Sequence, residues 1–128
     1  MLKVAVVGGR DFENYPLMKK TFLELLKEVE VSKENVMIIS GGAKGADSLA
    51  QRLAKELGLP ILIFYPDWSK GKRAGLERNT KIVKNSDVVL AFPTEKSRGT
   101  WDSIRKAKKM GKKTVVVKTY QALNSKGL

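Results

Sequence analysis

Runs of apolar residues alternate with amphipathic segments along the chain, and this alternation predicts five strands and four helices. The apolar run that begins at Lys3 is continuous and ends in Gly8 and Gly9, which is typical of a strand buried on both faces of a parallel sheet. The other predicted strands span 35–39, 60–65, 86–92 and 113–117. The predicted helices begin near Pro16 and span 45–57, about 76–84 and 100–110. This alternation predicts an α/β fold with one doubly wound parallel sheet of about five strands and helices on both faces.

The composition suits one compact domain, because 42% of the 128 residues are hydrophobic, enough to build a core. We expect this domain to span residues 1–118 and a short C-terminal tail to span 119–128. No apolar run approaches the roughly 20 residues of a membrane-spanning helix, and the start of the chain lacks a signal-peptide pattern. We therefore expect a cytoplasmic protein with no membrane partner.

Cysteine and histidine are both absent from the sequence. Their absence removes thiolate nucleophiles, imidazole bases and the usual zinc ligands. No metal site is predicted, and any reaction would depend on carboxylate, hydroxyl, Lys or Arg side chains. The composition identifies no catalytic residue.

The chain is strongly basic, since 25 Lys and Arg residues against 13 Asp and Glu residues give a net charge of +12. Such a charge attracts nucleotides, nucleic acid or other polyanions, without selecting among them. Many of the lysines lie between Lys106 and Lys113 and suit the solvated end of one helix.

A glycine-rich turn from Ser40 to Asp47 separates a predicted strand from a predicted helix. Glycines allow backbone N–H groups to converge, and the start of a helix adds unpaired donors and a partial positive charge. The turn therefore suits an anion such as phosphate. A tight connection without a ligand is the alternative for the same residues.

Several unusual loops each follow a predicted strand, and ligands of doubly wound sheets bind beyond the carboxyl ends of the strands. Backbone donors come from the glycine turns, guanidinium groups from Arg10, Arg73, Arg78 or Arg98, and aromatic faces from three further side chains. Donors and Arg suit phosphate, and an aromatic face suits a base, so a nucleotide-type ligand is expected. The candidates for stacking on a base are Phe12, Trp68 and Phe92.

Two common nucleotide-binding patterns are absent, because Lys44 precedes Gly45 instead of following it as in a Walker A loop, and no G-x-G-x-x-G follows the first strand. The motifs that are present resemble the SLOG superfamily, which groups the DNA-processing DprA (Smf) family with the LOG nucleotide hydrolases. The resemblance is to its YspA-like branch and extends over nearly the whole chain. The matching motifs are Gly8-Gly9-Arg10-Asp11-Phe12, Ser40-Gly41-Gly42-Ala43-Lys44-Gly45-Ala46-Asp47, Asp67-Trp68, Gly71-Lys72-Arg73-Ala74-Gly75, Arg78-Asn79 and Arg98-Gly99-Thr100.

The resemblance implies a Rossmann-like nucleotide-binding domain at 1–118, a homodimer, and ligand contacts from the glycine loops and the Gly-Thr turn. No particular cofactor is implied. The resemblance marks Gly9, Arg10, Ser40, Gly41, Gly42, Gly45, Asp47, Arg78, Asn79, Gly99 and Thr100 as ligand-binding positions. The arrangement of loops adds Gly8, Ala43 and Arg73. Asp47 suits a helix N-terminus as well as a ligand contact, whereas Arg78 and Asn79 are expected to be exposed.

The chain departs from the LOG pattern at the residue that would assist cleavage of an N-glycosidic bond. Ser103 stands where the LOG motif has its glutamate, and Asp102 comes one residue early and would point about 100° away on a helix. Whether the protein is an enzyme stays open, and a LOG-type phosphoribohydrolase is disfavoured.

Three functions follow from these observations. The first is binding, with a sensing role as one form of it, of a nucleotide or nucleotide-derived ligand at the strand ends. The second is hydrolysis of a nucleotide or nucleotide sugar, with Asp11, Asp47, Glu77 or Asp102 as acid or base. The third is DprA-like binding of single-stranded nucleic acid. The sequence identifies neither the ligand nor the pathway.

Overall fold

The computed structural model describes residues 1–120, and residues 121–128, most of the predicted tail, lie outside the described residues. Within residues 1–120 the chain forms five strands, four α-helices and two short 3₁₀ segments. The strands are β1 (Leu2–Gly8), β2 (Val36–Ser40), β3 (Ile61–Ile63), β4 (Val88–Phe92) and β5 (Lys113–Val116). The α-helices are α1 (Tyr15–Glu28), α2 (Ala46–Leu57), α3 (Ala74–Lys84) and α4 (Arg98–Lys109). The 3₁₀ segments are Lys33–Asn35 and Trp68–Arg73.

All the strand pairs are parallel, and the strand order is β3-β2-β1-β4-β5. The first strand, β1, is at the centre of the sheet, and β2 and β3 are added on one side of it. The chain then crosses to the other side of β1, where β4 pairs with β1 and β5 forms the edge. This topology confirms the predicted doubly wound α/β fold and puts the reversal of strand order between β1 and β4.

The core has one layer on each face of the sheet. Val4 and Val6 of β1 contact the apolar sides of α1 and α2, whereas Ala5 and Val7 contact α3 and α4. Alternate residues of a strand point to opposite faces, so burial on both faces requires the continuous apolar run that the sequence shows. None of the helices within residues 1–120 has the length and apolar character needed to cross a bilayer.

The ends of the first two helices follow from local chemistry. Asn14 Oδ1 accepts a hydrogen bond from the backbone N–H of Leu17 at 3.1 Å, and Pro16 occupies the first turn of α1, where its missing N–H costs nothing. Gly58 ends α2 in the left-handed conformation, with φ of 68°, which glycine adopts without a steric penalty.

Three predicted boundaries were wrong in ways that affect the site. The third strand is Ile61–Ile63, not 60–65, because it is the edge strand and Pro66 provides no N–H to extend the ladder. The segment expected to be a loop before α3 forms the 3₁₀ segment Trp68–Arg73, and α3 begins at Ala74. Helix α4 begins at Arg98, two residues before the predicted start, so the Gly-Thr turn belongs to its first turn.

Candidate functional site

Two neighbouring clefts open at the edge of the sheet where β1, β2 and β4 end. The loop after β1, the turn after β2 and the segment between β4 and α4 form the rim. This edge includes the reversal of strand order between β1 and β4, which is the usual ligand position in open α/β sheets.

The first cleft, called here the glycine cleft, has a volume of ≈ 720 Å³, within the range of about 300–1,000 Å³ that is typical of small-molecule sites. The end of β1, helix α3 and the first turn of α4 form its walls. Many of the predicted site residues meet in it. They are Gly8, Gly9, Arg10, Ala43, Asp47, Trp68, Arg78, Asn79, Gly99 and Thr100.

The second cleft, called here the aromatic cleft, has a volume of ≈ 660 Å³ and lies between the turn after β2 and the segment after β3. Gly41 and Gly42 line it, together with the side chain of Tyr65. The two clefts have four lining residues in common, which are Arg10, Ala43, Trp68 and Arg78. The predicted site is therefore divided between two adjoining spaces.

Two of the three predicted stacking residues are buried and line neither cleft. Phe12 is 3% exposed and Phe92 is fully buried, and their rings pack against each other with centroids 4.9 Å apart. Both belong to the core layer beneath the rim, so their prediction as base-stacking residues was wrong. Trp68 is 63% exposed and lines both clefts.

Three further predicted ligand residues, Ser40, Gly45 and Arg73, lie outside the linings of both clefts as the described residues form them. Ser40 is buried at the end of β2, and Arg73 is exposed at the end of the 3₁₀ segment. Gly45 approaches the first loop so closely that an added Cβ would collide with the carbonyl groups of Gly9 and Arg10. The N–H of Ala46 also donates to Gly9 O at 3.1 Å, so Gly45 joins the two loops.

Arg78 and Asn79 hold three segments of the rim together, and the expectation that both would be exposed was wrong. Arg78 donates from Nη1 to Gly41 O and from Nε to Asn79 Oδ1, the latter at 3.2 Å. Asn79 is 7% exposed and donates from Nδ2 to Gly99 O at 3.2 Å and to Asp102 Oδ2 at 3.3 Å. Helix α3 thus fixes the turn after β2 and the start of α4 relative to each other.

Asp47 orders the glycine-rich turn from the first turn of α2. Its Oδ2 accepts a hydrogen bond from the N–H of Ala43 at 2.9 Å, and the side chain is 7% exposed. Burial raises the pKa of the Asp47 carboxyl, an effect that the Ala43 hydrogen bond and the charge of Arg78 oppose. Ser40 Oγ also acts to lower that pKa, yet it makes no well-aligned hydrogen bond with any described residue.

Two guanidinium groups face the same part of the site. Burial lowers the pKa of Arg78, the Asp47 carboxylate raises it, and repulsion from Arg10 lowers it further. Arg10 and Arg78 are both among the four residues that line both clefts. An anion between two such groups would relieve the repulsion and accept their N–H donors.

The first turn of α4 closes the far side of the glycine cleft. Ser97 Oγ donates to Thr94 O at 2.8 Å and accepts from Thr94 N at 2.8 Å, and Thr94 Oγ1 donates to Asp11 Oδ1 at 2.6 Å. Ser103 lines the cleft, whereas Asp102 is turned toward Asn79 and Lys106 and forms an ion pair with Lys106 at 2.8 Å. The position of the LOG glutamate therefore faces the cleft, and serine occupies it here.

The prediction of ligand-binding residues omitted several side chains that line the clefts. Tyr65 was assigned to a strand, but the early end of β3 leaves it exposed beside Gly42. Its position next to Pro66 is a signal that could have revealed this, because proline ends strands. The other omitted side chains with polar groups are Lys44, Ser48, Gln51, Lys72, Lys96, Ser97 and Ser103. Arg98 and Asp11, which the sequence offered as a guanidinium group and as a possible acid or base, also line the glycine cleft.

Comparison with protein families matches residues 2–71 to a sequence model described as "YAcAr: YspA, cpYpsA-related SLOG family", which is more than half of the chain. The chain is also similar to the Gene 61 protein of Mycobacterium phage D29, with 33% identity over 118 residues. That alignment covers 87% of this chain and 92% of the phage protein.

Two solved structures of DNA processing protein A are also similar. The protein from Helicobacter pylori, described for its single-stranded DNA binding mode, is 29% identical with a TM-score of 0.63, covering 96% of this chain and 67% of that chain. The protein from Streptococcus pneumoniae is 19% identical with a TM-score of 0.71, covering 96% of this chain and 52% of that chain. At that identity, the likeness to the S. pneumoniae protein concerns the fold alone.

Proposed function

Because the chain belongs to the YspA, cpYpsA-related SLOG family, we propose that it binds a nucleotide or a nucleotide-derived ligand at the carboxyl ends of its parallel strands. The observation that carries this proposal is the convergence of Arg10, Arg78 and the first turn of α4 on the glycine cleft. Two guanidinium groups and the positive end of a helix surround one space, which suits phosphate.

The charge of the cleft supports an anionic ligand. Lys72, Lys96 and Arg98 line the glycine cleft in addition to Arg10 and Arg78. Its two acidic residues are both engaged within the protein, since Asp11 accepts from Thr94 and Asp47 accepts from Ala43. The five cationic side chains of the cleft outnumber its two carboxylates. The cleft therefore carries a net positive charge, as the whole chain does with +12.

The same contacts favour binding over hydrolysis. Ser103 replaces the carboxylate of the LOG motif in the cleft, whereas Asp102 does not line the cleft and its carboxylate contacts Asn79 and Lys106. Glu77 is exposed and forms an ion pair with Lys70 at 3.2 Å. The carboxylates considered for the hydrolase alternative are thus absent from the cleft or already hydrogen-bonded in it, which makes binding or sensing the better-supported activity.

Thermal unfolding with a panel of AMP, ADP, ADP-ribose and cyclic AMP tests the proposal. A ligand at 100 times its dissociation constant stabilises the fold by about 2.7 kcal/mol. Arg78→Ala should then weaken binding of the stabilising compound by about 1.5–3 kcal/mol, the scale of a hydrogen bond to a charged group, and Arg78→Lys should restore only part of that loss.

Arg105→Ala is the matched control, because Arg105 is exposed on α4 and lines neither cleft. Arg10→Ala provides a second variant if loss of the Arg78 hydrogen bonds lowers the stability of the fold. Equal affinity of the wild type, Arg10→Ala and Arg78→Ala for the same nucleotide would contradict the proposal.

Single-stranded nucleic acid is the second candidate ligand. The Helicobacter pylori relative is described for its single-stranded DNA binding mode and is 29% identical to this chain. The excess of 25 Lys and Arg over 13 Asp and Glu residues also suits a polyanion.

A further inference from the structure

We infer that the ligand has two nucleoside-type groups joined by phosphate, one bound in the glycine cleft and the other in the aromatic cleft. This inference rests on the proposed function and extends it from one nucleotide to the class of dinucleotides. Three features of the described residues support it: the continuity of the clefts, the cations at their junction, and the aromatic side chains beside the second cleft.

The two clefts form one divided site. Each has the volume of a separate small-molecule site, at ≈ 720 Å³ and ≈ 660 Å³, compared with about 300–1,000 Å³ for typical pockets. The four residues common to both linings mark the junction. A mononucleotide in the glycine cleft would leave the aromatic cleft to solvent.

The junction is where the guanidinium groups lie. Arg78 is fixed there by its hydrogen bonds to Gly41 O and Asn79 Oδ1, and Arg10 lines both clefts at the same junction. A phosphate that links two nucleosides keeps two non-bridging oxygens, so it can accept N–H donors from both guanidinium groups at once. The position of the two charges therefore suits a linking phosphate.

The aromatic cleft has the side chains needed to bind a base. Tyr65 is 68% exposed and Trp68 is 63% exposed, although both are large rings. The Tyr65 ring lies against the Gly42 backbone, where an added Cβ would be 2.5 Å from the ring, and Gly42 has φ of +72°. The absence of a side chain at Gly42 thus allows the ring to rest on the turn, and a base can stack on its face.

The polar side chains that line the aromatic cleft are either neutral or positively charged. Lys44, Ser48 and Gln51 face it from the turn after β2 and from α2, and no acidic side chain among the described residues lines it. An amide and a hydroxyl offer both donors and acceptors to the edge of a base. The aromatic cleft therefore suits a second nucleoside better than a cationic or purely apolar group.

Titration calorimetry with three probes tests the inference. AMP has one nucleoside and one phosphate. ADP-ribose adds a second phosphate and a second sugar without a second base, and the 5′-phosphorylated dinucleotide pApA adds a second phosphate and a second nucleoside. Base stacking on an aromatic side chain is worth roughly 5- to 150-fold in affinity. We expect pApA to bind more tightly than AMP by a factor in this range, and ADP-ribose to lack most of that gain.

The same titration in Tyr65→Ala isolates the aromatic cleft. The affinity for pApA should fall by more than the affinity for AMP, so that the ratio between the two probes approaches one, and Tyr65→Phe should keep the wild-type ratio because the ring remains. Leu23→Ala, which removes an exposed apolar side chain of α1 that lines neither cleft, is the control for both affinities.

The affinities of AMP and pApA distinguish a wrong ligand class from a wrong proposed function. Equal affinities for AMP and pApA, or an unchanged ratio in Tyr65→Ala, would overturn the inference and leave the nucleotide proposal standing. No binding by any of the three probes would contradict both.

Two adjacent nucleosides can belong to a free dinucleotide or to a longer strand, and a dodecadeoxyadenylate probe distinguishes these sources. Affinity equal to that for a deoxy dinucleotide indicates a free dinucleotide. A much higher affinity that falls steeply with salt indicates a strand whose phosphates contact the surface beyond the clefts.

Discussion

Asn79 shows how a single side chain can determine the shape of the site. Its amide accepts from Arg78 through Oδ1 and donates through Nδ2 to Gly99 O and Asp102 Oδ2. The motif Arg78-Asn79 could be identified from the sequence, because it resembles a family pattern. Its burial could not, because the residues that cover it come from a helix twenty or more positions further along the chain.

The buried carboxyl of Asp47 should make the stability of the fold depend on pH. Since burial raises the pKa of its carboxyl above the ordinary value of 3.8, the folded state binds the proton more tightly than the unfolded state does. Ionisation of this carboxyl therefore destabilises the folded state. The free energy of unfolding should decrease as the pH rises from 3.8 through the raised pKa.

Asp47→Asn removes that ionisation and retains a side-chain oxygen that can accept from the Ala43 N–H. The free energy of unfolding of Asp47→Asn minus that of the wild type should be larger at about pH 7 than at about pH 4. Urea unfolding of both proteins at the two pH values measures this. A difference between the two proteins that does not change with pH, or that changes in the opposite sense, would contradict the assignment.

The strands and helices were largely predictable from the period of apolar residues. The first strand is a continuous β-branched run because both of its faces are covered, by α1 and α2 on one side and by α3 and α4 on the other. The short edge strand β3 was overestimated, since its residues are partly exposed and carry little pattern. Because β3 ends at Ile63, Tyr65 lies outside the strand and lines the aromatic cleft. This position was not predicted.

Gly45, the residue that precedes α2, has a backbone conformation and a close contact that favour glycine. Gly45 has φ of 71° and ψ of −122°, and an added Cβ would collide with two carbonyl groups. Gly45→Ala should lower the free energy of unfolding by about 2–6 kcal/mol, because the backbone strain of about 1–3 kcal/mol adds to overpacking of about 1–3 kcal/mol.

Gly58→Ala is the matched control, because Gly58 has φ of 68° and ψ of 35° and nothing lies within 4 Å of its added Cβ. That change should cost only about 1–2 kcal/mol, the penalty for a left-handed non-glycine residue. Equal losses in the two variants, measured by chemical denaturation, would show that the contact between the two loops is not what Gly45 provides.

At the scale of the whole molecule, the fold separates the clefts from the lysine-rich surface. Helix α4 begins beside the glycine cleft and has 12 residues, a length of about 18 Å. Its last turn, with Lys108 and Lys109, and the following Lys112 therefore lie at the opposite edge of the sheet. The sequence indicated a solvated helix end for these lysines, but the three-dimensional arrangement was needed to show how far they are from the clefts.

Lys113 differs from its neighbours because it forms an ion pair with Glu28 at 2.8 Å. Changing it would alter a contact between β5 and α1 as well as the surface charge. A variant that probes the lysine-rich surface without that contact is the triple substitution Lys108→Gln, Lys109→Gln and Lys112→Gln.

The salt dependence of binding is the measurement that tests most directly whether the ligand is a nucleotide in the strand-end clefts. AMP and a single-stranded dodecadeoxyadenylate are titrated into the wild type and the triple Gln variant over a range of salt concentrations. We expect AMP to bind with a shallow dependence on salt that the triple substitution leaves unchanged, because its phosphate meets only the cations of the clefts. If AMP does not bind, while the oligonucleotide binds with a log–log slope of roughly −0.7 per phosphate contacted that becomes shallower in the variant, the lysine-rich surface is the binding site and the account is wrong.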